Sequence, residues 1–406
     1  MANRVRKHKS DLVILLATLA LMVIGLIVIY AIGPMRANVL NATYGENYDA
    51  NYFFMHQLIS VAVALTAFFL AFKVLPYELI SKLAKWVMLG GIVLSLVMWG
   101  LSAAGSAMVK CELGACRWFN LGPLSLQPAE ILKLGLVLYL AGLVNRKKEE
   151  GTVGSLKEFW TPIMIVCFIA LALVVIVQKD LGSGLAMIAI IVSILLVGGV
   201  PIKQFIIAMA VIVAAGVAVV VFYPHRLERL TTFVGGGDAD ASYHVDNAML
   251  AIGTGGMFGV GIGNSVQATG YLPESINDSV FAIMGETFGF VGLLVIVGIF
   301  AAILLRLLKV AEGTVDMERR LVVVGVFAWV ATHVVVNIAA MTGLVPVTGI
   351  TLPLLSYGGT SMAFIAFSLG LVLQISCYTV KEVNNESISS GRGLGGTHNA
   401  SRRRNS

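Results

Sequence analysis

Charge is scarce in this chain. Only 12% of its 406 residues are Asp, Glu, Lys or Arg, while 58% are hydrophobic, and the mean hydropathy is +0.90. A soluble protein of this size cannot hide so much apolar surface, so the composition excludes the water-soluble classes and predicts a polytopic membrane protein. Histidine is also rare. His56, His225, His244 and His333 are scattered, and no His/Cys/carboxylate spacing resembles a structural metal site. Of the four cysteines, Cys167 and Cys377 fall inside apolar runs and read as inert. Cys111 and Cys116 flank ELGA in a polar loop, where a disulfide is an open alternative if that loop lies outside the cell. The first apolar run, from Leu12, is long enough to span and is not followed by a small-residue cleavage site, so no cleavable signal peptide is expected. The run GTGGMFGVGIG (Gly253 to Gly263) has no preceding strand and no P-loop lysine. Its glycines fit close packing of a loop or re-entrant segment better than a nucleotide site. No internal repeat is evident, which disfavours an inverted-repeat transporter. The net charge of +6 says little by itself, and no nucleic-acid partner is expected.

Apolar runs able to cross a bilayer, about 20 residues each, lie near 12–33, 53–74, 86–106, 128–144, 160–178, 182–200, 204–223, 279–305, 321–342 and 360–380. An all-α polytopic protein of about ten transmembrane helices follows, with both termini on one side. With the N-terminus (residues 1–11) inside, 21 of the 28 basic residues fall in inner segments, and this bias orients the membrane domain, residues 12–380. Three outer loops are substantial: 34–52, 107–127 and 224–278. The last, between the seventh and eighth spans, is long enough to suggest function. The tail, 381–406, is polar and rich in Gly, Ser and Asn, a composition that predicts a disordered cytoplasmic segment.

Ionisable groups inside spans are expensive and point to function. Glu130 and Lys133, at i and i+3 near the outer end of the fourth span, share a helix face. They are either a neutral pair that locks helix packing or a cation that faces a cavity and meets phosphate. Asp180, in QKDLGSG, is either an N-cap of the sixth span or part of a site. Glu286 lies two turns beyond Asp278, so that both carboxylates can face one groove. The alternative is a buried Glu bonded to a neighbouring helix. Asp278 itself stands where a Gly-rich polar stretch gives way to the eighth span, in contact with both water and lipid. Spacing alone also allows a plain N-cap. A second irregular stretch, Met341 to Ser361, is apolar yet punctuated by Pro346, Gly349, Pro353, Gly358 and Gly359, and predicts a loop folded back to line a cavity.

Four stretches in order resemble the SEDS family (shape, elongation, division, sporulation): RWFNLGPLSLQPAEILK from Arg117, QKDLGSG from Gln178, YLPESINDSVFAIMGETFGFVG from Tyr271 and GLVPVTGITLPLLSYGGTS from Gly343. Within the family, GNSVQ and TLPLLSYGG are more similar to the division branch, FtsW, than to the elongation branch, RodA. Ala129 and Lys179 depart from the usual Ser and Pro. Ile276, Asn277, Thr287 and Phe288 depart from the family pattern around the reactive acid.

The resemblance implies a peptidoglycan glycosyltransferase of the bacterial cytoplasmic membrane that polymerises lipid II at the outer face, for septal wall synthesis in cell division. Alternatives are a lipid II flippase or transporter, or a non-catalytic division scaffold. It places the essential acid at Asp278, which is assigned as the base. The outer cations Arg117, Lys133, Arg226 and Arg229 are assigned to the diphosphate, and Glu130, Asp180, Glu286 and Ser356 complete the substrate-binding set. Mg²⁺ is a candidate cofactor with no readable ligand set. A class B penicillin-binding protein and other divisome proteins are the implied partners. The ninth span, with Ala328, Ala331, Ala339 and Ala340, or the eighth, with its glycines, is expected to hold the partner's helix.

Overall fold

A chain this apolar must pair its backbone groups internally, and helices do so within each segment. In a computed structural model, which describes residues 9–112, 115–122, 124–222 and 239–379, the apolar runs are helices. They are α1 (Leu12–Tyr44), α2 (Tyr52–Phe69), α3 (Tyr77–Ala103), α4 (Pro128–Glu149), α5 (Thr161–Ala172), α6 (Leu181–Gly198) and α7 (Ile202–Phe222). After these come α8 (Ala239–Thr254), α9 (Val280–Gly313), α10 (Met317–Met341) and α11 (Gly359–Ser376). Among the described residues nine helical segments are long and apolar enough to cross a membrane. The tenth expected span corresponds to α7, whose apolar stretch is described over Ile202–Ala214.

Local chemistry sets the ends. Asp11 caps α1 by accepting from the Val13 and Ile14 N–H groups, and Gly45 stops it in a left-handed conformation. Pro128 occupies the first turn of α4, where a missing N–H costs nothing. α2 continues through a π turn, Leu70–Val74, and the carbonyls of Phe72 and Leu75 beside it are taken up by Gln374 of α11. α4 and α10 are the central helices. α4 packs on α3, α6 and α10, while α10 also packs on α9 and α11.

The helical membrane fold is borne out, with three local refinements. First, β1 (Val109–Glu112), β2 (Ala115–Leu121) and β3 (Leu124–Leu126) form a small antiparallel sheet in the 107–127 loop. Its first turn is closed by a Cys111–Cys116 disulfide, which resolves the open alternative. Second, α1 runs past residue 33 to Tyr44, because nothing between them breaks the helix except Pro34, which it accommodates. Third, the expected 224–278 loop contains α8, which buries Ala248 and Ala251 against the bundle and packs on α9.

The glycine run explains itself at α9. Gly289 interrupts that helix with φ 68° and ψ −170°. The segment Gly256–Gly261 laces into the break: Val260 and Gly261 N–H donate to the Glu286 and Thr287 carbonyls, and Phe290 and Val291 N–H donate to those of Gly256 and Met257. Backbones this close leave no room for side chains. A Cβ on Gly259 would sit 2.2 Å from the Thr287 carbonyl oxygen.

At the end of the bundle opposite Asp278, charges are paired near the surface. Arg306 meets Asp11 at 2.6 Å, Arg319 meets Glu78 at 2.6 Å, and Glu318 accepts from Tyr77 and Ser81.

Gly259→Ala combines a left-handed backbone with a backbone clash. It is expected to destabilise the protein by about 2 kcal/mol or more, seen as a lowered thermal midpoint in detergent. Gly253→Ala, on α8 with no atom near the added Cβ, serves as the control and should be neutral or stabilising.

Candidate functional site at the Asp278 end

Irregular backbone inside a membrane protein must find partners among side chains. At one end of the bundle the four sequence stretches supply them to each other. Gln127, just before α4, donates to Asp180 at 2.9 Å, while the other Asp180 oxygen caps α6 through the Ser183 N–H. The capping reading of Asp180 therefore holds, with a second tie added. Gly182 lies so close to the returning loop that a Cβ there would be 2.5 Å from Ile350. The Tyr357 N–H donates to the Ile276 carbonyl at 2.8 Å, which joins the SYGG turn to the Asp278 loop.

Lys133 is fully buried and Glu130 is 2% exposed; their ion pair is 2.7 Å long. The ammonium also donates to His333 Nε2 at 3.3 Å and lies 5.0 Å from the centre of the Trp329 ring. Because lysine has no lone pair to offer, His333 Nε2 is the acceptor. Its Nδ1–H then faces the Thr351 carbonyl, 3.3 Å away. The pair thus reaches the ninth-span helix α10 rather than the eighth.

Glu286 does not share a groove with Asp278. Its carboxylate is spent on the re-entrant loop, accepting from the Ser265 hydroxyl and the Val266 and Gln267 N–H groups. Ser356 is likewise internal: its hydroxyl accepts from the Leu352 N–H, and its carbonyl accepts from Gln57. Arg117 donates to the Gln178 and Lys179 carbonyls at the end of the fifth span, at 3.4 and 2.7 Å. Arg226 and Arg229 lie outside the described residues.

Asp278 is 7% exposed and precedes α9 by one residue, Ser279. Ser279 is fixed from both sides: its hydroxyl donates to the Pro273 carbonyl, so His244 Nε2, 2.7 Å away on α8, must carry the hydrogen. The Asp278 carbonyl accepts from Asn337 of α10 at 2.7 Å, and the same Asn337 amide donates to the Ile350 carbonyl at 2.7 Å. Oδ1 of Asp278 has no protein donor. A crevice lined by Asp278, Asn337, Met341, Val347, Thr348 and Ile350 adjoins it, too tight for water in this conformation.

Burial is the main force on the Asp278 carboxyl, with the Glu274 charge second. Together they raise its pKa to about 7 against the opposing N–H groups of Asp278 and Ser279. The folded state therefore holds this proton above the ordinary value of 3.8, and the residue's contribution to stability falls as pH rises from about 4 to about 7.

Among the described residues three non-glycine residues adopt positive φ: Lys179, Glu274 and Leu354. Each lies within four residues of Asp180, Asp278 or Ser356. Strain of this kind collects where geometry serves function. Among the described residues no three His, Cys, Asp or Glu side chains converge as a metal site.

Sequence reasoning missed Asn337, His333 and Gln127. The available signal was a polar side chain within or beside an apolar span.

A family profile covering FtsW, RodA and SpoVE, described as cell cycle protein, matches residues 11–381. The stage V sporulation protein E of Bacillus subtilis (strain 168) is 32% identical over 92% of this chain and 99% of its own. A probable peptidoglycan glycosyltransferase FtsW of Coxiella burnetii is 29% identical over 91% of this chain and 96% of its own. Among solved structures, a chain of a peptidoglycan synthase complex that coordinates polymerization and crosslinking superposes with TM-score 0.70 at 23% identity, covering 90% of this chain and 97% of that one. The rod shape determining protein RodA of Thermus thermophilus superposes with TM-score 0.64 at 24% identity, covering 92% and 98%. These two share the fold.

Removing Lys133 alone strands a buried carboxylate, so Lys133→Met is expected to cost about 3–5 kcal/mol. Adding Glu130→Gln should recover most of it in a double-mutant cycle read by thermal unfolding. Additive losses would show that the pair contributes nothing as a pair.

Proposed function

The chain belongs to the cell cycle protein family of FtsW, RodA and SpoVE, and we propose that it is a peptidoglycan glycosyltransferase that polymerises lipid II for septal wall synthesis. The observation that carries this reading is Asp278, a buried carboxylate with one unpaired oxygen at the bundle end where all four sequence stretches meet.

The reaction is a displacement at an anomeric carbon. The acceptor sugar's hydroxyl oxygen bonds to that carbon, its proton passes to Asp278, and the bond to the lipid diphosphate breaks with its electron pair leaving on the phosphate oxygen. A base is most effective when its pKa lies near the working pH, and burial tunes Asp278 in that direction. The departing diphosphate calls for positive charge. Arg117 spends two of its N–H groups on carbonyls and keeps others, and Arg226 and Arg229 are assigned the same task. Lys133 is engaged by Glu130, His333 and the Trp329 ring, which supports a structural role for that pair. A Mg²⁺ ion would be held by the diphosphate it neutralises, since the chain gathers no ligand cluster of its own among the described residues.

A carrier needs polar groups along its whole path. Among the described residues the buried Asp, Glu, Lys and His side chains, Glu130, Lys133, Asp180, Asp278, Glu286 and His333, all lie at the Asp278 end. That distribution supports an enzyme over a flippase. Among the described residues the opposite end holds most of the basic side chains, and it is assigned to the cytoplasm with both termini. Polymerisation without crosslinking leaves loose strands, and no Ser-x-x-Lys acyl-transfer motif serves this chain. A class B penicillin-binding protein is the proposed partner, within a division assembly. Ala328 and Ala340 of α10 are buried within the bundle, while Ala331 and Ala339 are half-buried beside exposed Val335, so the ninth span keeps a narrow small-residue stripe. α9 offers a broader one: Val291, Leu294, Gly298, Ala301 and Leu305 form one exposed face with small residues at its centre.

Asp278→Asn should lower lipid II polymerisation by about 100-fold or more while the protein remains folded in detergent. Activity near wild type would overturn the assignment of the base. For the partner, cysteines at Leu294 and Leu305 should crosslink to the transpeptidase's single span. Crosslinks confined to α1–α3 would remove α9 as the interface.

A further inference from the structure

We propose that Asn337 is a positioning residue for Asp278, holding the acid's backbone against the returning loop and offering its own carbonyl oxygen to the crevice where the proton is transferred. The proposal rests on Asp278 being the base, and its test separates the two.

The side chain is 1% exposed and sits on α10, one turn from His333. An asparagine amide has two N–H groups, and both are committed: one to the Asp278 carbonyl and one to the Ile350 carbonyl, each at 2.7 Å. No other described side chain ties the Asp278 loop to the loop after α10 in this way. With both hydrogens fixed, the direction of the amide oxygen is fixed as well. That oxygen has no protein donor, and neither does Oδ1 of Asp278. The two residues line the same crevice.

Two unpaired acceptors in one buried place are costly unless a hydrogen arrives. Before the reaction, a hydroxyl brings it. After proton transfer, Asp278 carries the hydrogen, and Asn337 Oδ1 is the unoccupied acceptor lining the crevice. The arrangement would be lost with aspartate or an aliphatic residue at 337, although either could fill much of the space.

Other charged groups near Asp278 are accounted for on every packed element. Glu274 raises its pKa from within the same loop and is itself 3.7 Å from Arg36 of α1. His244 of α8 acts through the Ser279 hydroxyl. Lys133 of α4 and His333 of α10 are bonded to each other. None of these contacts is made by residue 337 itself.

The test is polymerisation of labelled lipid II by the purified full-length chain across pH, comparing wild type, Asp278→Asn, Asn337→Ala and Asn337→Asp. Misplacing a reacting group by about 1 Å costs on the order of 100-fold, so Asn337→Ala should lower kcat/KM by about 10- to 100-fold, mostly through kcat. Asn337→Ala also opens room for water beside Asp278 and removes the acceptor for its proton. The acid limb of kcat/KM should therefore move to lower pH. Asn337→Asp is nearly isosteric and places a second carboxyl there, so the limb should move to higher pH. A merely structural role would lower the folded fraction, measured by size-exclusion profile and thermal midpoint, and leave the limb in place. Wild-type kcat/KM, or an unmoved limb in whichever variant folds, overturns the proposal while Asp278→Asn stays inactive. An active Asp278→Asn overturns the reading beneath it.

Discussion

No backbone N–H or C=O can be left unpaired where water is excluded, and this constraint organises the Asp278 end of the molecule. Regular helices meet it by themselves. The segments that break from helix do not, and several of them are held by side chains. Glu286 gathers the N–H groups of Val266 and Gln267, Asn337 holds the Asp278 and Ile350 carbonyls, Ser356 takes the Leu352 N–H, and Gln57 reaches the Ser356 carbonyl. Where no side chain fits, backbone pairs with backbone through glycine, as at the break in α9. The irregular segments are thus held as firmly as helices while still presenting a carboxylate at the mouth of a span.

The same constraint separates two kinds of buried polar residue. Glu286 and Asp180 have their charges answered by N–H groups and serve as anchors. Glu130 and Lys133 answer each other and, through His333, hold the loop at Thr351. Asp278 and Glu130 each keep one oxygen without a protein donor, and of the two only Asp278 lines the crevice beside the returning loop. A carboxylate buried away from water becomes a better base, and at Asp278 burial and the Glu274 charge outweigh the N–H groups of Asp278 and Ser279.

Much of this was legible in the sequence, and the gaps have physical causes. Span positions follow from length and apolarity, which do not depend on tertiary contacts. The Glu130–Lys133 pair is legible because i and i+3 fix a shared helix face. The glycines from Gly255 to Gly259 announced a close approach without naming α9 as the partner. The sheet at Val109–Leu126 was hidden because its strands are short and lie in a loop between spans. α8 was hidden because its polar residues, such as Asp246 and Asn247, mask an apolar side that only packing on α9 reveals. Asn337 gave the faintest signal of all. It is neutral, and its two partners are 59 and 13 positions away, a relation that only the fold creates.

The central claim is that Asp278 is a carboxyl kept from water by burial, with one oxygen lacking a protein donor. The direct measurement is isotope-edited infrared difference spectroscopy of its protonated C=O stretch during a pH titration of the full-length protein, with Asp278→Asn identifying the band. The account predicts a band that disappears with a midpoint near 7. A midpoint near 4, the range of a solvated aspartate, would contradict it.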